Sequence, residues 1–150
     1  MNELQNILSP IEIGNKTCKN RIIMAAHSYG YADQDGLPTQ ELEYYLEERA
    51  KGGIGLVIMG GTSVSKNGTI PTGNPTKNLN DKIVKPYKKI AERVHKHGTL
   101  VLDQLMHAGG QLRNRTGLQI FAPSSVHHER TRGVPLTLCK AQIDEISTDF

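Results

Sequence analysis

The chain has 150 residues, and its 18 lysines and arginines against 15 aspartates and glutamates leave a formal net charge of only +3. That balance argues against a nucleic-acid-binding protein on charge alone. Hydrophobic residues make up 37% and charged residues 22%, which is the composition of an ordinary globular chain and excludes the disordered and collagen-like classes.

Two further features bear on location and on metals. Apolar runs in the sequence are far shorter than the roughly 20 residues of a membrane-spanning helix, and the N-terminus lacks the pattern of a signal peptide. We therefore expect a cytoplasmic protein without membrane contacts. Cys18 and Cys139 are far apart and form no CxxC pair, so we predict neither a disulfide framework nor a metal site.

Three short apolar runs predict β-strands. They are residues 21–26 (RIIMAA), 55–60 (GLVIMG) and 99–105 (TLVLDQL). The first two are continuous rather than alternating, which is typical of parallel strands that are covered on both faces. Helices should therefore lie between them.

The first predicted helix covers residues 39–53, with Thr39 as its N-cap and Gly52 and Gly53 as its stop. The second covers residues 81–98, with Asn80 or Asp81 as its cap and Pro86 near its start. Their apolar positions recur at helical spacing: Leu42, Tyr45, Leu46 and Ala50 in the first helix, and Ile83, Tyr87, Ile90, Ala91 and Val94 in the second. A third helical pattern, Ile143, Ile146 and Phe150, continues to the last residue. This alternating order predicts one piece of a parallel α/β domain.

Polar and glycine residues follow each predicted strand, where the loops of a parallel α/β domain converge. His27 and Ser28 follow the first strand, Gly60 and Gly61 end the second, and Gln104 lies within the third. A glycine pair allows a flat ligand to approach the backbone, and a glutamine amide matches the edge of a pyrimidine-like ring. Alternatively, Gln104 bonds loop backbone.

Two other readings are weaker. A dinucleotide-binding half-domain requires GxGxxG directly after the first strand, but that position reads AAHSYGYADQDG. A basic row on the second helix could contact phosphate: Lys82, Lys85, Lys89, Arg93 and Lys96. It has no interleaved aromatic residues for base stacking, and Glu41, Glu43, Glu47 and Glu48 on the preceding helix could balance it across the surface. We therefore interpret it as a solvated outer face.

Four segments together resemble the N-terminal part of the Old Yellow Enzyme class of NAD(P)H:flavin oxidoreductases. They are LSPIEIGNKTCKNRIIMA, DGLPTQELEYYLEERAKGGIGLVIMGGTSV, VHKHGTLVLDQLMHAGGQ and FAPSS, in that order. The resemblance implies an eight-stranded (β/α) TIM barrel that holds FMN at the carboxyl ends of its strands, of which residues 1–150 are an N-terminal part with about three strands. Ala26 and Gly110 depart from the pattern, since relatives usually carry proline and arginine there.

The resemblance also implies roles for individual residues. Ala25, Ala26 and His27 would pass beside the flavin ring through their backbone, and the Ser28 hydroxyl would lie near a flavin carbonyl. Gly60 and Gly61 match positions at the flavin edge, Gln104 matches the glutamine that grips the flavin pyrimidine, and His107 matches a motif histidine whose role is open. The family reaction passes hydride from NAD(P)H through FMN to an electron-poor alkene, such as an enone or enoyl compound.

In relatives, the substrate anchors, the proton donor and the phosphate loops lie beyond the part that this chain matches. We therefore predict no catalytic residue within residues 1–150 and expect the chain alone to be inactive. Three open strands leave two unpaired edges and an uncovered barrel interior. We expect the chain to need a complementary barrel part or self-association, and the alternative is a non-catalytic fragment or split-barrel subunit that acts by pairing. A basic-helix nucleic-acid module ranks last.

Overall fold

The structure is a computed structural model that describes residues 3–71, 73–112, 119–127, 129 and 133–150. Its helices are α1 (Glu3–Leu8), α2 (Gln40–Lys51), α3 (Val84–His95) and α4 (Lys140–Asp149). Its strands are β1 (Ile11–Ile13), β2 (Lys16–Cys18), β3 (Ile23–Met24), β4 (Leu56–Ser63), β5 (Leu100–Met106), β6 (Phe121–Ala122) and β7 (Leu136–Thr137). The predicted alternation of strands and helices is confirmed.

The central sheet has three parallel strands in the order β3-β4-β5. Ile23 pairs with Leu56, and Leu56 pairs in turn with Leu100, so the amino ends of the strands are aligned. An antiparallel ribbon, β1–β2, precedes this sheet, and a short parallel pair, β6–β7, follows it. Sequential parallel strands joined by helices form the βαβ units expected of an α/β domain.

The bounds of the three central strands differ from the predicted ones by one to three residues, and the larger differences at the carboxyl ends are those of β3 and β4. Pairing of β3 ends at Met24 instead of continuing to Ala26, and the His27 ring bonds back to the carbonyl of Ala25 at 3.1 Å. Strand β4 continues to Ser63, beyond the predicted end at Gly60, because a shift in register lets pairing with β5 resume. Apolar periodicity contains no signal for either event.

The core lies between the sheet and helices α2 and α3. Its buried members are Leu42, Leu46, Ala50, Val57, Met59, Ile90 and Val94, with Tyr45 and Tyr87 packed against them. The apolar faces predicted for the two helices are thus confirmed. The third pattern behaves differently, because Ile143 and Phe150 are exposed.

The two predicted N-caps have different outcomes. Asn80 is confirmed: its side chain accepts a hydrogen bond from the amide of Lys82, and a 3-10 turn, Asp81–Ile83, delays the start of α3 to Val84. Thr39 occupies the cap position of α2, but its hydroxyl donates to the carbonyl of Tyr31 at 2.8 Å instead of capping the helix. Pro86 lies in the first turn of α3, where an amide is not needed.

Helices α2 and α3 are joined by an ion-pair cluster. Arg93 donates to Glu43 at 3.1 Å and to Glu47 at 2.7 Å, and both carboxylates are buried. Lys96 and His97 also contact Glu47. Glu43 and Glu47 do balance part of the basic row, but inside the helix interface rather than across the surface as predicted. Buried carboxylates require such partners, and this cluster supplies them between the two packed helices.

The longest helices among the described residues, α2 and α3, have 12 residues each. Within these described ranges, none of the helices is long and apolar enough to cross a membrane.

Hydrogen bonds from Lys96 and Arg93 lower the pKa of Glu47 to about 2, from an ordinary value of 4.5. The stabilising effect of this carboxylate is therefore complete above pH 4.5 and is lost as the pH falls toward 2. We expect Glu47→Gln to lower the thermal midpoint at pH 7, with the difference from wild type shrinking across that interval. Scanning calorimetry at several pH values measures it.

Glu48→Gln is the matched control, because Glu48 is the adjacent residue, is largely exposed and has Lys51 as its ion-pair partner among the described residues. Exposed pairs contribute little, so its thermal midpoint should stay near that of wild type at every pH. A Glu47→Gln profile parallel to that of wild type would contradict the assignment.

Candidate functional site

The polar residues predicted at the strand ends lie together at the carboxyl end of the central sheet. Gly60 on β4 is in register with Gln104 on β5, and residues 25–28 directly follow β3, the other neighbour of β4. Because the three strands are parallel, their carboxyl ends face the same way. Ala25, His27, Ser28 and Gln104 are exposed there, Ala26 and Gly61 are half-buried and Gly60 is buried.

Gln104 keeps its amide available. Its side chain is exposed and forms no hydrogen bond to another residue in the part of the chain that the structure describes. The alternative that Gln104 bonds loop backbone thus finds no support among those residues. An amide donor and acceptor side by side remain free to meet a ligand with the complementary pattern.

The glycine pair at the end of β4 has a structural requirement that the sequence did not reveal. The register shifts between Gly60 and Thr62, so that the two glycines form a bulge opposite Gln104. Gly60 has φ +134°, and a Cβ there would lie 2.8 Å from the Cβ of Gln104. A Cβ on Gly61 would lie 3.0 Å from the sulfur of Met106. The backbone conformation at position 60 and its contact with Gln104 therefore require glycine there, whether or not a ligand does.

The segment after β3 is held by aromatic contacts with α2. The Nδ1–H of His27 donates to the carbonyl of Ala25, which leaves Nε2 to accept from the hydroxyl of Tyr45 at 3.4 Å. Tyr29 stacks edge-on against His27 with ring centroids 4.4 Å apart. The guanidinium of Arg49 lies 3.4 Å from the centre of the Tyr45 ring, within cation–π range.

Tyr29 also anchors this segment to the sheet. Its hydroxyl donates to the carbonyl of Ile58 on β4 at 3.3 Å. Burial raises the pKa of Tyr29 to about 12, and the neighbouring Tyr45 and the charge of Asp103 add to the effect. The phenol therefore stays protonated at neutral pH and keeps its hydrogen for that carbonyl. This positions residues 25–28 beside β4.

A network of three side chains on the opposite face of the sheet was missed in the sequence. Asp103 on β5 accepts from Thr62 at 2.8 Å and from Tyr87 at 2.7 Å, and the two hydroxyl oxygens are 2.9 Å apart. Burial and the charge of Asp103 raise the pKa of Tyr87, which keeps this phenol a donor. An aspartate within the apolar run LVLDQL was the available signal.

His107 points away from Gln104, toward the loop after β4. A Cβ on Gly68 would lie 2.4 Å from the His107 ring, and the His107 Nδ1 accepts from the amide of Gly109 at 3.2 Å. The ring borders a cavity of about 210 Å³ between this loop, β6 and α4. Burial lowers the pKa of His107, an effect that the charge of Asp149 partly offsets. The His107 Nε2 is buried and has no hydrogen-bond partner among the described residues, so these contacts do not assign its role.

The residues at the carboxyl end of the central sheet fit the flat, polar flavin ring that the resemblance implies. Gln104 provides an unpaired amide, Ser28 an exposed hydroxyl and residues 25–27 a strand-end backbone that pairing no longer uses beyond Met24. Among the described residues, no group of three His, Cys, Asp or Glu side chains could hold a metal ion. The arrangement can therefore bind an organic ring by hydrogen bonds.

Comparison with known proteins identifies the class. The family model for the NADH:flavin oxidoreductase / NADH oxidase family matches residues 6–150. The chain belongs to this family, which confirms the resemblance found in the sequence. Flavin and NAD(P)H are accordingly the cofactors of its class.

Individual relatives extend well beyond the matched region. The chain is 33% identical to an N,N-dimethylglycine/sarcosine dehydrogenase of Chromohalobacter salexigens, with 96% of this chain and 21% of the relative covered. It is 31% identical to an NADPH dehydrogenase of Listeria welshimeri, with 98% and 43% covered. The chain thus spans less than half the length of these curated relatives.

Solved structures support the fold. The Old Yellow Enzyme homologue from Zymomonas mobilis superimposes with a TM-score of 0.84 and 30% identity, over 96% of this chain and 42% of that one. This confirms that β3, β4 and β5, with their helices, form an N-terminal portion of a TIM barrel.

The close approach at Gly60 leads to a stability prediction. Gly60→Ala should destabilise the chain by about 2–4 kcal/mol, because strained backbone and overpacking against Gln104 add together. Gly14→Ala is the control: its φ is +60°, but its Cβ would meet open space. It should cost only about 1–2 kcal/mol. Urea unfolding measures both, and equal losses would contradict the proposed crowding by β5.

Proposed function

We propose that β3, β4 and β5 are three barrel strands of an FMN-dependent oxidoreductase and that the chain contributes one side of its flavin site. In this proposal the complete protein passes hydride from NAD(P)H through FMN to an electron-poor alkene of the enone or enoyl type. Ala25, Ala26, His27, Ser28, Gly60, Gly61 and Gln104 are the proposed cofactor-binding residues. The observation that carries the proposal is the register of Gly60 with Gln104 beside the exposed segment 25–28.

Each residue has a role that its chemistry supports. The Gln104 amide can donate and accept at once along the edge of a pyrimidine-like ring. The Ser28 hydroxyl can donate to a carbonyl oxygen of that ring and so favour an electron-rich state. When bound, FMN supplies two-electron hydride chemistry, and the protein's contribution is to orient the reactants and exclude competing reactions.

The proposed acceptor is supported at the level of relatives only. One relative, from Caballeronia cordobensis, is named a multifunctional alkene reductase/demethylase and is 29% identical over 96% of this chain. Another is named for N,N-dimethylglycine and sarcosine, which are amines rather than alkenes. An electron-poor alkene is therefore the proposed acceptor for this protein.

We also propose that residues 1–150 act as one partial domain that needs a complementary barrel part or self-association. Ile23, Leu102 and Leu105 are 47%, 51% and 38% exposed, although they lie on or beside the central strands. Apolar side chains on an open parallel sheet are normally covered. A chain that only pairs, without binding flavin, is the second candidate, and these exposed residues are the observation in its favour.

The flavin site is tested by size-exclusion chromatography of the chain with added FMN, recording visible absorbance across the protein peak. We expect FMN to co-elute with an assembled species. Gln104→Leu should weaken FMN binding about tenfold, because the loss of two hydrogen bonds of roughly 0.5–1.5 kcal/mol each has that effect.

Gln111→Leu is the matched control, because Gln111 is also exposed and lies in the 3-10 turn after β5. It should bind FMN like wild type. An assembled, flavin-free species would favour the pairing candidate, and equal FMN binding by Gln104→Leu would contradict the role of Gln104.

The absence of predicted catalytic residues leads to a separate expectation. The 150-residue chain alone should oxidise NADPH in the presence of an enone no faster than free FMN does. Absorbance at the NADPH band measures the rate. Sustained turnover by the purified chain would show that residues 1–150 contain catalytic groups after all.

A further inference from the structure

The Thr62–Asp103–Tyr87 network adjoins the proposed flavin residues in sequence but lies on the other face of the sheet. Thr62 directly follows the Gly60–Gly61 bulge, and Asp103 directly precedes Gln104. Successive side chains on a strand point to opposite faces, so Asp103 turns toward α3 while Gln104 faces the other way. The network thus holds the backbone on both sides of the paired glycine and glutamine.

The number of hydroxyl hydrogens in the network determines which hydrogen bonds the three side chains can form. Three oxygen–oxygen contacts of 2.7–2.9 Å involve only two hydroxyl hydrogens. When the carboxylate of Asp103 receives both, each of its oxygens has one donor. No hydroxyl hydrogen then remains for the third contact, between Thr62 and Tyr87. The two oxygens are close because both hydroxyls donate to the same carboxylate. Both hydroxyl donors are therefore committed to a single acceptor.

The network joins three elements at the point where their pairing is least regular. Thr62 belongs to β4, Asp103 to β5 and Tyr87 to α3. The bulge interrupts the ladder between Gly60 and Thr62, and pairing resumes with Thr62 opposite Leu105. A bulge loosens the ladder locally, so side-chain bonds next to it have the greatest effect on its register.

We infer that Thr62, Asp103 and Tyr87 are positioning residues. They hold the backbone of Gly60, Gly61 and Gln104 in the arrangement that faces the proposed ligand, and we call these three residues the ligand edge. This inference rests on the proposed function for the identity of the ligand, but the geometry itself is a property of the chain. The three side chains do not touch the ligand edge. They act through the backbone of β4 and β5.

The test compares Thr62→Val and Tyr87→Phe with Thr99→Val in the 150-residue chain. Thr99 is the matched control: like Thr62 it is 1% exposed, and its hydroxyl donates to the carbonyl of Ile54 at 2.7 Å, at the amino end of β5. All three substitutions remove a buried hydroxyl with little change in shape. Tyr87→Phe also keeps the ring that packs on the core, so it serves if Thr62→Val fails to fold.

Amide hydrogen exchange measured by NMR is the first readout, and it needs no ligand. We expect exchange at residues 60–62 and 104–105 to accelerate at least tenfold in Thr62→Val and Tyr87→Phe, beyond any change elsewhere in the sheet. Thr99→Val should show no such excess at these positions. A uniform acceleration in all three variants would overturn the inference, because the network would then provide stability alone.

FMN binding is the second readout and separates this inference from the proposed function. If wild type binds FMN, Thr62→Val and Tyr87→Phe should bind it at least threefold more weakly, and Thr99→Val should match wild type. Unchanged affinity in the first two variants would overturn the positioning role. If wild type binds no FMN, the proposal that this chain already forms a usable flavin site fails, and the exchange data still decide whether the network sets the geometry of these residues.

Discussion

Strands β4 and β5 pair in parallel from Leu56 with Leu100 to Ser63 with Met106, and the two backbones come so close at Gly60 that a methyl group would collide with Gln104. This close pairing is the constraint on which the site depends. It requires glycine at the bulge, brings Gln104 beside it and places Thr62 within reach of Asp103. If β4 and β5 lay further apart, Gly60 would not be crowded, Gln104 would not lie beside it, and Thr62 would not reach Asp103.

The two faces of the sheet differ in how completely they are covered. On one face, α2 and α3 bury Leu46, Ile90 and Val94, and Arg93 joins the two helices through its ion pair with Glu47. On the other, Leu102 and Gln104 remain exposed. The relatives that the chain matches are more than twice as long, and the inner face of a complete TIM barrel is filled by side chains from all of its strands.

Membership of the NADH:flavin oxidoreductase family and the geometry of the strand ends support the same function by independent routes. The family indicates flavin chemistry, whereas the structure shows an exposed glutamine amide, unpaired among the described residues, opposite a glycine bulge at the carboxyl end of a parallel sheet. Ligands bind at this end because loops converge there and strand pairing ends. His27, Ser28, Gly60 and Gln104 lie at such strand ends in the sequence pattern as well.

The sequence by itself determined the three central strands, helices α2, α3 and α4, and the buried face of α2 and α3, because apolar periodicity directly encodes which side of an element meets the core. It did not predict α1, the β1–β2 ribbon or the β6–β7 pair. It also singled out the residues at the strand ends. It did not reveal that β3 ends at Met24, that Gly60 lies against β5, or that Asp103 binds Tyr87 and Thr62. Those features depend on contacts between residues distant in sequence, and only the tertiary structure decides which distant side chains come within hydrogen-bonding distance.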